Sequence, residues 1–167
     1  DKGMYVLEID VVTDPSNPTT RIAATHLGSD NKYVTSAVAG NGNIYAAPYS
    51  ANYVLEIDVM TDPSNPTTRT VGIDLGSTSW KYLTSAVAGN GNIYAAPLNA
   101  NYVLEIDVVT DPSNPTVKTI GIDLGSTSWK YWTSTMAGNG NIYAIHAYGK
   151  NILMISSNIC PTTTQSQ

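Results

Sequence analysis

Carboxylates recur at fixed places in this chain. The pairs Glu8/Asp10, Glu56/Asp58 and Glu105/Asp107 each stand two residues apart inside the motif VLEID. On an extended strand such residues project from one face. Each pair could therefore bind Ca²⁺, or divide acid and base roles between two environments. The plainer assignment pairs each acid with a cation on the neighbouring strand, Arg21, Arg69 or Lys118, because opposite charges across a sheet are ordinary stabilisers. Asp14, Asp62 and Asp111 lie in three copies of TDPSNP, where an aspartate closes a turn through its own side chain. The Gly-Asn-Gly-Asn loops at 40–43, 89–92 and 138–141 lack the helix and lysine of a phosphate cradle and read as tight turns. His26 and His146 occupy non-equivalent places, so no metal cluster is assigned, and nothing singles out one serine as a nucleophile. No catalytic residue, metal or cofactor is expected. Cys160 is the single cysteine, which excludes an internal disulfide and leaves it for a link between chains in an oxidising compartment.

Aromatic residues are the stronger candidates. Trp80, Tyr82, Trp129, Tyr131 and Trp132 cluster in sequence beside loops bearing Asn and Asp. An exposed indole next to amides or carboxylates suits sugar recognition: a flat apolar face for the ring, hydrogen bonds for its hydroxyls. The competing expectation is that these rings fill the space between sheets. Asn31 stands where Trp80 and Trp129 would be in the first copy.

These residues are carried by an internal repeat. Residues 41–89 and 90–138 are 49-residue units identical at 40 positions, preceded by a looser copy at 1–40 and followed by a partial one at 139–159. A Thr-rich tail, 160–167, closes the chain and reads as flexible. A fixed period of this length signals a repeat architecture. Within 41–89, residues 43–48 read as a strand, a. Residues 53–59 alternate apolar and polar, the period-two mark of strand b. TDPSNP then turns the chain. Residues 67–73 are rich in β-branched types and form strand c, and 81–87 form strand d. No segment has helical periodicity. Four short antiparallel strands in about 49 residues make one blade of a β-propeller. The expected fold is thus all-β, with three blades and a partial fourth.

Residues 40–62, GNGNIYAAPYSANYVLEIDVMTD, resemble the hairpin of quinoprotein-like and kelch-like propeller blades, in which Gly-Asn/Asp-Gly precedes an aromatic strand and a strand ending Leu-x-x-Ile-Asp. The tryptophan ending a quinoprotein repeat is missing near 67–70, and the chain has neither the Gly-Gly of kelch nor the Trp-Asp of WD40. DLGSTSW at 74–80 and 123–129 is similar to an Asp-box loop, with its Trp one residue late. The resemblance implies a propeller fold and no particular activity.

Composition narrows the partners. A formal charge of −5 with only eight Lys and Arg gives no basic stripe, so neither nucleic acid nor an anionic membrane surface is expected as a partner. No apolar run is long enough to span a bilayer as a helix. The hydroxyl-rich composition suggests an extracellular, secreted or cell-surface location. In chain order the strands run bcd, abcd, abcd, ab, thirteen in all. Closed propellers have about four to eight blades, so the expected partner is the chain itself, through exchange of an unpartnered strand a near the C-terminus. The leading functional expectation is a non-catalytic structural protein assembling into an oligomer or filament. The alternative is a lectin-like propeller binding carbohydrate at Trp80, Tyr82, Trp129, Tyr131 and Trp132.

Overall fold

In the computed structural model, which describes residues 5–24 and 32–156, every VLEID motif is a strand and no helix occurs among the described residues. Among the described residues four antiparallel sheets hold thirteen strands. The first sheet joins β1 (Val6–Asp10) to β2 (Thr19–Ala24). The second has the order β3 (Ala37–Val38), β4 (Ile44–Ala46), β5 (Val54–Asp58), β6 (Thr67–Val71). The third repeats it with β7 (Ala86–Val87), β8 (Ile93–Ala95), β9 (Val103–Asp107) and β10 (Thr116–Ile120). The fourth comprises β11 (Tyr131–Met136), β12 (Ile142–His146) and β13 (Ile152–Ile155).

The sheets are offset from the sequence units by one strand. Each Gly-Asn-Gly-Asn turn joins strand d of one unit to strand a of the next, so the four-stranded sheets cover 37–71 and 86–120 in the order d-a-b-c. This removes the basis for exchanging strand a. β12 is not unpartnered; it lies between β11 and β13 in its own sheet. Strand d is also shorter than the expected 81–87. Only Ala86 and Val87 join the ladder, with an isolated bridge from Tyr82 to Pro97. The intervening backbone turns to the neighbouring sheet instead: Thr35 donates its hydroxyl to the Leu83 carbonyl at 3.0 Å, and the Thr84 and Ser134 hydroxyls meet at 3.0 Å. Further sheet-to-sheet bonds run from Gly40 N to Gly91 O and from Gly89 N to Gly140 O. These bonds cluster on strand d and its turn, which places d nearest the common axis of the stack.

Face-to-face packing leaves the middle sheets covered on both sides. Tyr45, Ala47, Val54 and Val71 of the second sheet share one core with Ile93, Ala95, Leu104, Ile106 and Val117 of the third. Ala88, Tyr94 and Val103 meet Ile142 and Ile155 of the fourth, while Leu55 and Ile57 pack with Val6 of the first. Each fully buried Leu or Ile contributes about 1.5–3 kcal/mol. The approach is close: at Gly72, where φ is +81°, an added Cβ would lie 2.3 Å from that of Val117. At the two ends of the stack the faces that are covered in the middle sheets meet solvent. Leu7 and Ile9 are exposed on the first sheet, and Ile145, Ile152 and Met154 on the fourth.

The alternation in VLEID suggests one solvated acidic face, yet that face is an interface in the middle sheets. Glu56 is fully buried. Its carboxylate accepts hydrogen bonds from Asn43 Nδ2 at 3.0 Å and Tyr45 OH at 2.8 Å and pairs with Arg69 on β6. Glu105 repeats the arrangement with Asn92, Tyr94 and Lys118, the last at 3.0 Å. Arg69 also reaches the next sheet, donating to the Ser113 carbonyl of its TDPSNP turn at 3.2 Å. Arg21 does the same to Ser64.

Two predictions come from these interfaces. Glu56→Ala strands the buried Asn43 and Tyr45 donors inside an interface and should destabilise by about 2–4 kcal/mol in urea denaturation. Glu8→Ala, in the same motif but with a side chain 35% exposed, should cost under about 1 kcal/mol; equal losses would contradict the assignment. Alkali should also unfold the protein. Burial raises the tyrosine pKa values, Tyr45 to about 12 and Tyr82 and Tyr94 in the same direction. The unfolded phenols ionise near 10, so their stabilisation is complete below that pH and is lost as pH rises towards 12. Lys81 and Lys130, lowered by burial, act oppositely, but their gain is complete once pH passes the ordinary lysine value of 10.5. The urea midpoint should therefore fall above about pH 10.5, together with the appearance of tyrosinate absorbance.

Candidate functional site

The structure commits most of the carboxylates to turns. Asp58 accepts hydrogen bonds from Met60 N and Thr61 N at 3.0 Å and from Thr61 Oγ1 at 2.7 Å. Asp107 serves Val109 and Thr110 in the same way, and Asp10 serves Val12 and Thr13. Bonds from Thr13 hold the Asp10 carboxyl down at about 2. Asp14 and Asp62 each accept from the serine two residues on, through both its backbone and its hydroxyl. Asp111 caps its turn through Ser113 N and Asn114 N. Among the described residues no group of three His, Cys, Asp or Glu is arranged to hold a metal ion. His146 Nδ1 accepts from Tyr148 N and Gly149 N at 3.2 and 2.7 Å, which closes the hairpin. His26, Asn31, Cys160 and the 160–167 tail lie outside the described residues.

The aromatic candidates separate into two sets. Trp80, Trp129 and Trp132 come together on the surface, joined by Tyr49 and Tyr148. Ring centroids are spaced 6.3 Å from Tyr49 to Trp80, 4.9 Å to Trp129, 5.8 Å to Trp132 and 6.5 Å to Tyr148. The five rings form a continuous ladder across the second, third and fourth sheets, beside the entries to the inner strands. Trp80 is 41% exposed, Trp132 44% and Tyr148 81%. Tyr82 and Tyr131 are buried and do not join it. The Tyr82 hydroxyl donates inward to the Tyr102 carbonyl at 3.2 Å, and Tyr131 packs edge-on against His146.

Both bridging tryptophans sit on unusual backbone. Trp80 and Trp129 have φ of 63°, the left-handed region that bulky residues avoid, at a cost of about 1–3 kcal/mol each. The surrounding loop holds them there. Lys81 is buried directly behind Trp80, and its ammonium donates to the Gly76 and Thr78 carbonyls at 2.8 and 2.6 Å. Lys130 repeats this behind Trp129 with Gly125 and Thr127 at 2.9 and 2.6 Å. Burial pushes both lysine pKa values down. Asp74 and Asp123 tighten the same loops by accepting from Gly76 N and Gly125 N at 2.7 Å. The DLGSTSW segment is therefore a loop wrapped round a lysine, with the indole held at its outer end.

Asn99 ties the two tryptophans together. Its backbone N donates to the Trp80 carbonyl at 3.1 Å, and its Oδ1 accepts from Trp129 N at 2.9 Å. Neither Asn99 nor the two outer tyrosines follows from aromatic clustering in sequence. They do share one signal: positions 49/98 and 50/99 are among the nine at which the two long units differ.

No family model matches the chain, and no curated protein matches it. Solved structures do. A catalytically inactive virginiamycin B lyase from Staphylococcus aureus, with quinupristin, superposes with a TM-score of 0.54 at 14% identity, covering 84% of this chain and 42% of that one. The selenomethionine-substituted form of the same lyase gives 0.55 at 10% identity, covering 86% and 43%. An extracellular domain of the one-component system BT4673 from B. thetaiotaomicron overlaps more loosely, with a TM-score of 0.39 at 14% identity, over 85% of this chain and 24% of that one. The chain spans under half the length of the lyase chains it matches. At such identities the lyase likeness carries the fold alone: an all-β, propeller-type stack of repeats.

Proposed function

We propose that this chain is a non-catalytic, carbohydrate-binding propeller segment that holds its ligand on the tryptophan ladder. The observation that carries this reading is the ladder itself: five contiguous rings at the surface, two of them kept in costly backbone by a buried lysine. An apolar aromatic surface facing water is usual at binding sites and unusual elsewhere. Its flat faces suit the C–H faces of a pyranose, and the neighbouring Asn, Ser and Thr suit its hydroxyls. A binding role also fits the acids, since Glu56, Glu105 and the strand-end aspartates spend their oxygens on interfaces and turns. Virginiamycin B lyase is an enzyme, but a likeness at 10–14% identity supplies no residues to transfer. An extracellular location suits a glycan ligand and the hydroxyl-rich composition. On a glycan array, with affinities by titration calorimetry, Trp80→Ala and Trp132→Ala should each weaken binding about tenfold, or ~1.4 kcal/mol. Ile22→Ala, exposed on the first sheet and away from the ladder, should bind normally. Binding indifferent to both tryptophan changes would overturn the reading.

A second reading rests on the outer faces of the stack. Leu7 and Ile9 are exposed where their equivalents Leu55, Ile57, Leu104 and Ile106 are buried under a neighbouring sheet. On the fourth sheet, Met154 replaces the buried glutamate of the middle sheets, and Ile145 and Ile152 flank it on an apolar face. A second copy of the chain would cover these faces, giving a homo-oligomer or filament. Sedimentation should then show concentration-dependent association, abolished in Ile9→Asp/Ile152→Asp. A monomer at every concentration would refute this reading and leave the first untouched.

A further inference from the structure

Beside the ladder lies a cleft of about 470 Å³ between the two lysine-wrapped loops. Apart from Lys81, its polar lining is uncharged, made of Asn99, Asn101, the tyrosines Tyr82 and Tyr102, and Thr and Ser residues, Ser126 among them. Lys81 is the one charged residue in the wall, and its ammonium is already spent on the Gly76 and Thr78 carbonyls. Lys130, in the equivalent loop, is spent likewise. The fixed charge that does adjoin the cleft is negative. Asp123 accepts from Asn101 Nδ2 at 3.4 Å and from Tyr102 OH at 3.3 Å, both of them lining residues. The chain as a whole is acidic, at −5.

Asn99 connects this cleft to the ladder. With its Oδ1 held by Trp129 N and its backbone N by Trp80 O, its Nδ2 makes no hydrogen bond among the described residues. That leaves an amide donor at the cleft wall. The middle sheets do not share the feature, since the equivalent residue in the second sheet is Ser50.

We infer that the ladder and the cleft form one site for an uncharged oligosaccharide, with one sugar on the Trp80–Trp129 face and the next donating to and accepting from the hydroxyl and amide wall at Asn99. The site rejects glycans bearing carboxylates or sulfates. They would enter beside Asp123 with no cation to pair with, and desolvating an unpaired anion is strongly unfavourable. This inference rests on the carbohydrate reading of the ladder and adds the ligand class and the role of Asn99.

The test uses the full chain and a panel of neutral oligosaccharides, each matched to a uronic-acid or sulfated counterpart, titrated at low and high salt. Neutral members should bind at least tenfold more tightly than their acidic counterparts, with little dependence on salt. Asn99→Leu, which keeps the volume and removes the amide, should weaken neutral binding about tenfold. Ser126→Ala at the exposed side of the wall should weaken it less and serves as the second variant if Asn99→Leu does not fold. Tighter binding of acidic glycans, fading with salt, would overturn the ligand class and leave the ladder as a glycan site. Neutral binding unaffected by folded Asn99→Leu, or by Ser126→Ala where that variant stands in, would overturn the role of the cleft. No binding by any member would overturn both this inference and the carbohydrate reading.

Discussion

A five-residue strand with a carboxylate at its centre is here packed against neighbouring sheets on both faces. Such a strand has no side on which its charge can reach water, so the charge must be satisfied inside the interface. Glu56 and Glu105 meet this demand with the same partners: an asparagine and a tyrosine from strand a, a cation from strand c. The cation of the second sheet then continues to the turn of the third. Strand pairing, sheet spacing and turn position are thus coupled through one buried carboxylate per sheet, and a change at any partner would strand the others.

That coupling explains why the units are so alike and where they are free to differ. A residue in a middle sheet meets one neighbour as donor and another as acceptor, so substitution is constrained from two sides. Several of the nine differing positions are conservative swaps, such as Arg69/Lys118 and Val71/Ile120 on strand c and the exposed pair Met60/Val109. Three others, Tyr49/Leu98, Ser50/Asn99 and Leu83/Trp132, are changes of chemistry, and each pair contributes a residue to the ladder or its Asn99 link. The copies agree or differ conservatively where they hold the stack together and change chemistry along the aromatic ladder.

Much of this was legible in the residues. Alternation in VLEID, TDPSNP turns and β-branched runs locate the thirteen strands, because local pattern decides those elements. The phase of the sheets was not, since a repeat fixes a period but not a starting point, and only the tight Gly-Asn-Gly-Asn turn decides that d pairs with a. The buried acidic face was hidden for a related reason: alternation marks a strand with two unlike faces without saying whether the polar one meets water. Among the aromatics, Trp80, Trp129 and Trp132 assemble as their clustering suggests. Tyr82 and Tyr131 project to the other side, because each follows its tryptophan by two residues across a left-handed kink that sequence spacing does not reveal. Tyr49 and Tyr148 arrive from the ends of strand a and of a hairpin, distant in sequence from the tryptophans they extend.

The kink is the most informative departure from local preference. In the first unit the equivalent position carries Asn31, a residue type that tolerates left-handed backbone. In the next two units it carries tryptophan, among the types least suited to that conformation, at φ of 63° both times. The fold does not require a large side chain there: the ring of Trp80 lies substantially outside the core, and the loop is already closed by the buried lysine and the aspartate. Such a bulky side chain is kept on strained backbone beside a buried ammonium that closes its loop. Its ring contacts are with Tyr49 on one side and Trp129 on the other. Strain of this kind is expected where presentation of a side chain matters more than local stability, and it is the physical reason for proposing a binding surface at Trp80 and Trp129 rather than at the repeated acids.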